Sequence, residues 1–315
     1  MPGITGMGQT FNLPNFVGAL FAVTPSDTPF LSAIGGLTGG EQTNATSFQW
    51  QGYDLRDASQ NTRVEGANAP DAENRVRFSV DNVVQIHQEA IDVSYTKQAA
   101  TGQFSGLNLS GTNPVTNELA WQTRAMLTQI ARDIEVSFIR GAYHKPVDNT
   151  TARKTRGILE AMTTNVITNA SPATLTGDMV LDLMQKVWDN GGIKESDTAT
   201  LMVNSTQKRE LTRIFITEKN FQEQTRNVAG VNVMTIETDF GRVNIMLNRH
   251  MPADQLAVVS LEQCAPVFLM TPGKGFLFVE PLAKIGASDR AQIYGEIGLR
   301  YGNEKTHGKI TGLAV

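Results

Sequence analysis

Apolar and polar residues alternate along two nearby stretches of this chain. Phe48 and Trp50 point one way while Ser47, Gln49 and Gln51 point the other, and further on Val76, Phe78 and Val80 alternate with Arg75, Arg77 and Ser79. A period of two marks a strand with one dry face and one wet face, so the pattern predicts a long β-hairpin between Phe48 and Ile86. Its tip breaks the pattern. Arg56, Asp57, Ser59, Gln60, Asn61, Thr62, Arg63, Glu65, Asn68, Pro70, Asp71 and Glu73 are too polar to collapse and too many for an ordinary hairpin turn. An isolated two-stranded hairpin is marginal in water, so this one needs another surface, and a second copy of the chain is the expected supplier.

The period then changes to that of a helix. Leu119, Thr123, Met126, Ile130, Ile134 and Phe138 recur every three or four residues, which places one stripe against a core and leaves Arg124, Arg132, Glu135 and Arg140 off it. Asn113 as N-cap, Pro114 at the first helical position and Gly141 as terminator bound a helix about 40 Å long. The first 45 residues are rich in Gly, Pro, Thr and Asn, with short apolar clusters at 16–23 and 30–37 that follow neither period. They read as an extended arm, a segment that frays unless neighbouring subunits hold it.

A second compact unit is expected from Asn165. Thr176 opens a helix through Met179, Leu183 and Val187 that stops at Gly191 and Gly192, a strand follows at 200–203, and Asn204 with Gln207 forms an N-cap signature for a helix reaching Phe215. Strands then dominate, at 231–237, 243–248, 256–260, 267–270, 276–279 and 291–301, separated by Gly, Pro and Asp turns. The pattern is that of an α+β protein without internal repeats or heptads.

Composition narrows the classes of function. The chain has 315 residues, 40% hydrophobic and 18% charged, enough for one large or two modest domains with a real core. Its formal net charge of -4 gives no overall drive toward nucleic acid or an anionic membrane. The densest basic patch, Arg153, Lys154 and Arg156, reads as a solvated connection after a helix. Cys264 is the sole cysteine, so no disulfide forms within one chain, and its apolar neighbours make it a buried thiol. No Lys or Arg precedes Arg56 and no stretch reaches the roughly 20 apolar residues that cross a bilayer, so the reading is an aqueous compartment with no signal peptide and no membrane.

Motifs of chemistry are missing. His87, His144, His250 and His307 have no metal-ligand spacing, so neither a metal nor a cofactor is expected. Gly273, Lys274 and Gly275 lack the phosphate-loop spacing and read as a tight turn, and Asp239, Phe240 and Gly241 read as a hairpin turn. The carboxylate pairs Asp178 with Asp182 and Asp133 with Glu135 read as solvated faces.

Three short motifs occur in order along the chain: TPSDTPFL at 24–31; Thr238 to Gly241 followed by Arg249, His250, Met251 and Pro252; and a closing run from Gly295 through Leu299, Asn303, Glu304, His307 and Ile310 to Leu313. Together with the order of arm, hairpin, long helix and α+β unit, they resemble the major capsid proteins of tailed bacteriophages with the Hong Kong 97-type fold. The resemblance implies an N-arm at 1–45, an E-loop at 46–92, a peripheral domain at 93–164 with a spine helix at 114–141, an axial domain at 165–265, and return strands of the peripheral domain at 266–315. It also implies a non-enzymatic subunit of hexamers and pentamers in an icosahedral virion shell. Such a shell is assembled in the host cytoplasm, carries a portal at one vertex and encloses double-stranded DNA without sequence-specific binding. No charged helical leader precedes the arm, so a separate scaffolding protein is expected. Trp50, Phe78 and Val80 are the candidate apolar anchors between subunits, and Arg63 and Glu65 the candidate charged contacts. An encapsulin-like cellular compartment and, from a different class, a soluble oligomeric enzyme are the alternatives.

Overall fold

The structure, a computed structural model, describes residues 26–99, 117–148, 150–193, 199–214 and 235–315. The expectations for 16–23, Asn113, Pro114, Phe215 and 231–234 lie outside the described residues.

Pro29, whose ring pre-sets a helical φ, starts α1 (Pro29–Ala33), and Phe30 and Leu31 of that turn are buried. A bend leads to β1 (Glu41–Thr43), and the predicted hairpin follows as β2 (Ser47–Tyr53) and β3 (Arg77–Val83). The described part of the expected arm is therefore not an extended run. It folds back on its own chain, because Phe30 and Leu31 gain by leaving water and the core has room for them. The hairpin also ends sooner than the alternation implied. After Val84 the chain enters β4 (Gln85–Ser94), which belongs to a different sheet, and Ile86 lies on that strand.

Short α2 (Tyr95–Ala99) precedes the long helix, α3 (Glu118–Arg140). Asn117 caps α3 by accepting the Ala120 N–H at 3.0 Å. Ile130, Ile134 and Phe138 are buried as their spacing predicts, but so is Glu135, which was expected in solvent. Gly141 ends the helix because the returning chain touches it: a Cβ there would lie 2.5 Å from the Thr155 carbonyl oxygen. Then α4 (Ile158–Ala161) follows.

The remaining elements are β5 (Val166–Ala173), α5 (Gly177–Asp189), β6 (Ala199–Val203), α6 (Ser205–Thr212), β7 (Thr235–Thr238), β8 (Gly241–Leu247), β9 (Leu256–Ser260), β10 (Ala265–Leu269), β11 (Leu277–Pro281), β12 (Ser288–Arg300) and β13 (Gly308–Leu313). Thr176 caps α5 through the Met179 N–H. Asn204 precedes α6 but makes no capping bond. Its amide donates to the Met251 carbonyl, and Gln207 donates to the carbonyls of Ala253 and Ala314, so the expected capping pair instead ties down a loop and the C-terminal residues. Gly241, at φ +104, closes the β7–β8 turn, and Thr271 bridges Gly275 across the predicted tight turn.

Two sheets organise the cores. In the first, β12 pairs β4 along one edge and β11 then β10 along the other, with β1 parallel to β10. Ile91, Val93, Ile293, Ile297 and Leu299 from this sheet pack in one core with the α3 stripe. The second sheet runs β5-β13-β9-β6-β8-β7. Every residue of β6 and β9 is buried, and alternate residues serve different cores. Leu201, Val203, Leu256 and Val258 join Val180, Leu183 and Val187 of α5, whereas Met202, Ala257 and Val259 join the core of α3. β6 and β9 are a wall common to both cores, which is why these two strands are buried throughout. At the end of the chain, β10 to β12 lie in the first sheet, whereas β13 inserts into the second, parallel to β5 and antiparallel to β9.

His307 sits at this junction, fully buried. Its Nδ1 accepts the Ser260 N–H at 3.1 Å and its Nε2 lies 2.7 Å from the Tyr301 carbonyl oxygen, so Nε2 carries the proton and the ring is neutral. Burial lowers its pKa from 6.5 to about 4, since a second proton would also face the Ser260 N–H. With the folded value depressed, the unfolded chain binds the extra proton first, so this contribution is full above about pH 6.5 and is lost as pH falls toward about 4. The expected result is that NMR titration finds the His307 ring neutral at pH 5.5 while the denaturation midpoint of the subunit is already falling; a ring that titrates near 6.5 would contradict it.

Candidate assembly surface

The predicted hairpin divides into a root fixed to its own chain and a tip free of it. Register pairs Trp50 with Val80, Gly52 with Phe78 and Phe48 with Asn82, so these six share one face. At the root, Trp50 Nε1 donates to the Gly302 carbonyl at 2.7 Å and its ring meets Tyr301 edge-on at 4.8 Å. Phe48 stacks on Trp50 at 6.0 Å and lies over Gly298, where a Cβ would sit 2.7 Å from the Phe48 ring.

A polar chain surrounds this aromatic foot. Tyr301 Oη accepts from Arg156, whose guanidinium stacks 4.1 Å above the Tyr143 ring, and the Tyr143 hydroxyl donates to Asp81 at 2.8 Å. Lys145 pairs with the same Asp81 carboxylate at 3.6 Å. The bond from Tyr143, helped by the Lys145 charge, holds Asp81 below the usual carboxylate range. Burial, with the Asp81 carboxylate next to it, pushes the Tyr143 hydroxyl up to about 12. Beside them Asn82 is fully buried. Its amide donates to the carbonyls of Leu299 and Arg156, and its Oδ1 accepts the N–H groups of Arg156 and Val83. The basic patch is thus not a solvated connection: Arg156 braces the root, and Arg153 forms a half-buried ion pair with Glu296 at 2.5 Å.

Beyond the root the protection stops. Every residue from 53 to 79 is exposed. Phe78 is 51% exposed although it covers Gly52, and Val76, Val64 and Leu55 stand at 79%, 81% and 68%. Gly66, at φ +79, lets the apex turn, with the Ala67 N–H bonded to the Val64 carbonyl, and Arg63 and Glu65 flank Val64 there. Of the five sequence-predicted contacts, the structure brings Trp50 and Val80 together against their own core. It leaves Phe78 midway along the arm and Arg63 and Glu65 at its end. Asp81, Asn82 and Tyr143 were not singled out by sequence reasoning, and Arg156 was read only as part of a solvated basic patch. One signal was there: Asn82 extends the apolar run Val76, Phe78, Val80 with an amide, and a polar residue on a dry face must find partners.

Among the described residues no group of three His, Cys, Asp or Glu side chains could hold a metal ion, and no helix is long and apolar enough to cross a membrane. Burial pushes the Cys264 thiol up to about 12, which makes it inert.

A family model described as SU10 major capsid protein matches residues 3–314. The chain belongs to this family. A comparison with curated proteins finds no match. Among solved structures, the chain of the Cyanophage A-1(L) capsid asymmetric unit aligns at a TM-score of 0.71 with 10% identity, over 98% of this chain and 99% of that one. The capsid of a native GTA particle aligns at 0.66 with 13% identity, over 99% and 98%. The SrpI encapsulin complex of Synechococcus elongatus aligns at 0.55 with 13% identity, over 96% and 92%. At these identities the likenesses establish the fold, and it is the Hong Kong 97-type capsid fold. The protein is a major capsid protein of the tailed-phage type, a virion shell subunit that assembles from copies of itself.

Proposed function

We propose that this capsid protein forms hexamers and pentamers of an icosahedral shell around double-stranded DNA, and that residues 46–92 act as an E-loop lying over a neighbouring subunit. In this reading 1–45 is the N-arm, 93–164 with most of 266–315 the peripheral domain, and 165–265 the axial domain. A separate scaffolding protein guides assembly in the host cytoplasm and a portal occupies one vertex. The observation that carries the reading is the uninterrupted exposure of 53–79 on a root that is fully anchored. An arm with Phe78, Val76 and Val64 in water leaves apolar surface to bury elsewhere, and a sister subunit is the partner this reading assigns to it. The net charge of -4 supports enclosure without sequence-specific binding, because a strongly cationic lining would hold the phosphate backbone and resist its release.

Phe78 is the anchor left free for a neighbour, and it separates assembly from folding. The variant Phe78→Ser is expected to unfold within about 1 kcal/mol of the parent chain, because the ring is half in water, yet to yield few closed particles by negative-stain microscopy with scaffolding supplied. Normal particle numbers from this variant would remove Phe78 from the interface. Particles that form and take up protein cargo instead of DNA would favour the encapsulin reading.

A further inference from the structure

Glu135 is the one carboxylate buried among the described residues, and the hairpin makes no use of it. It sits midway along α3, on the side where α1 crosses. Oε1 accepts the Phe30 N–H at 2.9 Å and Oε2 accepts the Leu31 N–H at 2.6 Å. The same Oε1 accepts Asn248 Nδ2 at 2.6 Å. Asn248 is buried too. Its N–H donates to the Val203 carbonyl of β6 at 2.8 Å, and its Oδ1 accepts the His250 N–H at 2.9 Å. One carboxylate therefore joins the start of the described chain, the long helix and the turn between β8 and β9. Outside this node, Arg249 forks onto both oxygens of Asp27 at 3.1 Å, with both side chains exposed, and Arg140 Nε donates to the His250 carbonyl.

Three donors converge on Glu135, and only a carboxylate has acceptors for all of them. An apolar residue of that volume would leave two buried backbone N–H groups without partners. Burial raises the carboxyl above its ordinary pKa in spite of these bonds, so the ion is held at a cost that packing alone would not require. A costly buried charge that fixes one arrangement of three elements suits registration better than general stability.

We propose that Glu135 is a latch that fixes the position of α1, tying the start of the described chain to α3 and to the second sheet together. Movement of α3 relative to the second sheet then acts on α1, and the Asp27–Arg249 pair on the surface follows the latch without carrying it. The inference concerns the single subunit and stands whether or not hexamers and pentamers form.

The test is amide hydrogen exchange in the unassembled full chain. In the variant Glu135→Gln, one oxygen is replaced by an NH2 that faces an N–H, so exchange at Phe30 and Leu31 is expected to rise roughly 10- to 100-fold while β9 and β12 keep their protection. In Arg249→Ala, whose side chain is exposed and whose loss leaves the cores untouched, the same amides are expected to stay within about threefold of the parent chain. Phe30 and Leu31 exchange within threefold of the parent in Glu135→Gln would overturn the latch. So would Arg249→Ala releasing them strongly, an outcome that is decisive even if Glu135→Gln fails to fold.

Discussion

Replacing residues 54–76 by Asn-Gly is expected to give a subunit that melts no lower than the full chain and forms no closed particles. No residue from 53 to 79 is buried, so the excision removes almost none of the area that stabilises the fold. The last paired residues of the hairpin are Tyr53 and Arg77, and Asn-Gly supplies the positive φ angles of the turn whose twist suits such a closure. Shortening the loop lowers the entropy cost of closing it, an effect on the order of 1–2 kcal/mol in favour of the subunit. Assembly loses everything the tip supplies: Leu55, Val64 and Val76, and the charges of Arg63 and Glu65 around them. Calorimetry read beside sedimentation velocity makes the comparison. A drop of several degrees in the melting temperature would mean that the tip packs on its own subunit, and full-sized particles would mean that assembly does not use it.

Trp50→Ala is expected to behave in the opposite way, destabilising the subunit itself by about 3 kcal/mol. The indole loses its edge contact with Tyr301 and the support of Phe48, and the Gly302 carbonyl loses a donor at 2.7 Å. Because the ring is only partly buried, the value falls at the low end for removing a large aromatic. Trp50→Phe keeps most of the contact and loses the N–H, so a cost of about 1 kcal/mol is expected. Urea denaturation of the unassembled chain gives both numbers. The hydrophobic alternation had marked Trp50 and Phe78 as equivalent anchors between subunits, whereas the structure gives them different work: Trp50 holds the root and Phe78 is left to reach outward. An unfolding midpoint unmoved by Trp50→Ala would return Trp50 to the interface.

Features decided within a few residues were legible in the sequence. The Thr176 cap, the turn at Asp239 to Gly241 and the alternation of β2 and β3 all depend on neighbours in the chain, and each stands where its pattern placed it. Features decided by distant partners were not. Glu135 looked solvated because its donors, Phe30, Leu31 and Asn248, lie more than 100 residues away in sequence, the nearest at a separation of 104. Gln207 looked like half of a capping pair because the carbonyls of Ala253 and Ala314 that it serves are invisible to local reasoning. The place of β13 was not legible for the same reason: Gly, Lys and Thr dilute its alternation, and pairing with β5 and β9 decides its sheet. The assembly surface was half legible, since the polar tip announced itself and the aromatic foot on Tyr301 did not.

The proposed assembly needs a division within one hairpin, between a root that the subunit stabilises and a tip that a sister chain would cover. Hydrogen exchange of residues 54–76, measured in the unassembled subunit and again in assembled particles, tests that division directly. The expected result is near-random-coil exchange in the subunit, with residues 47–52 already protected, and a slowing of at least tenfold across the tip in particles. Slow exchange of 54–76 in the lone subunit, or equally fast exchange in the particle, would contradict it.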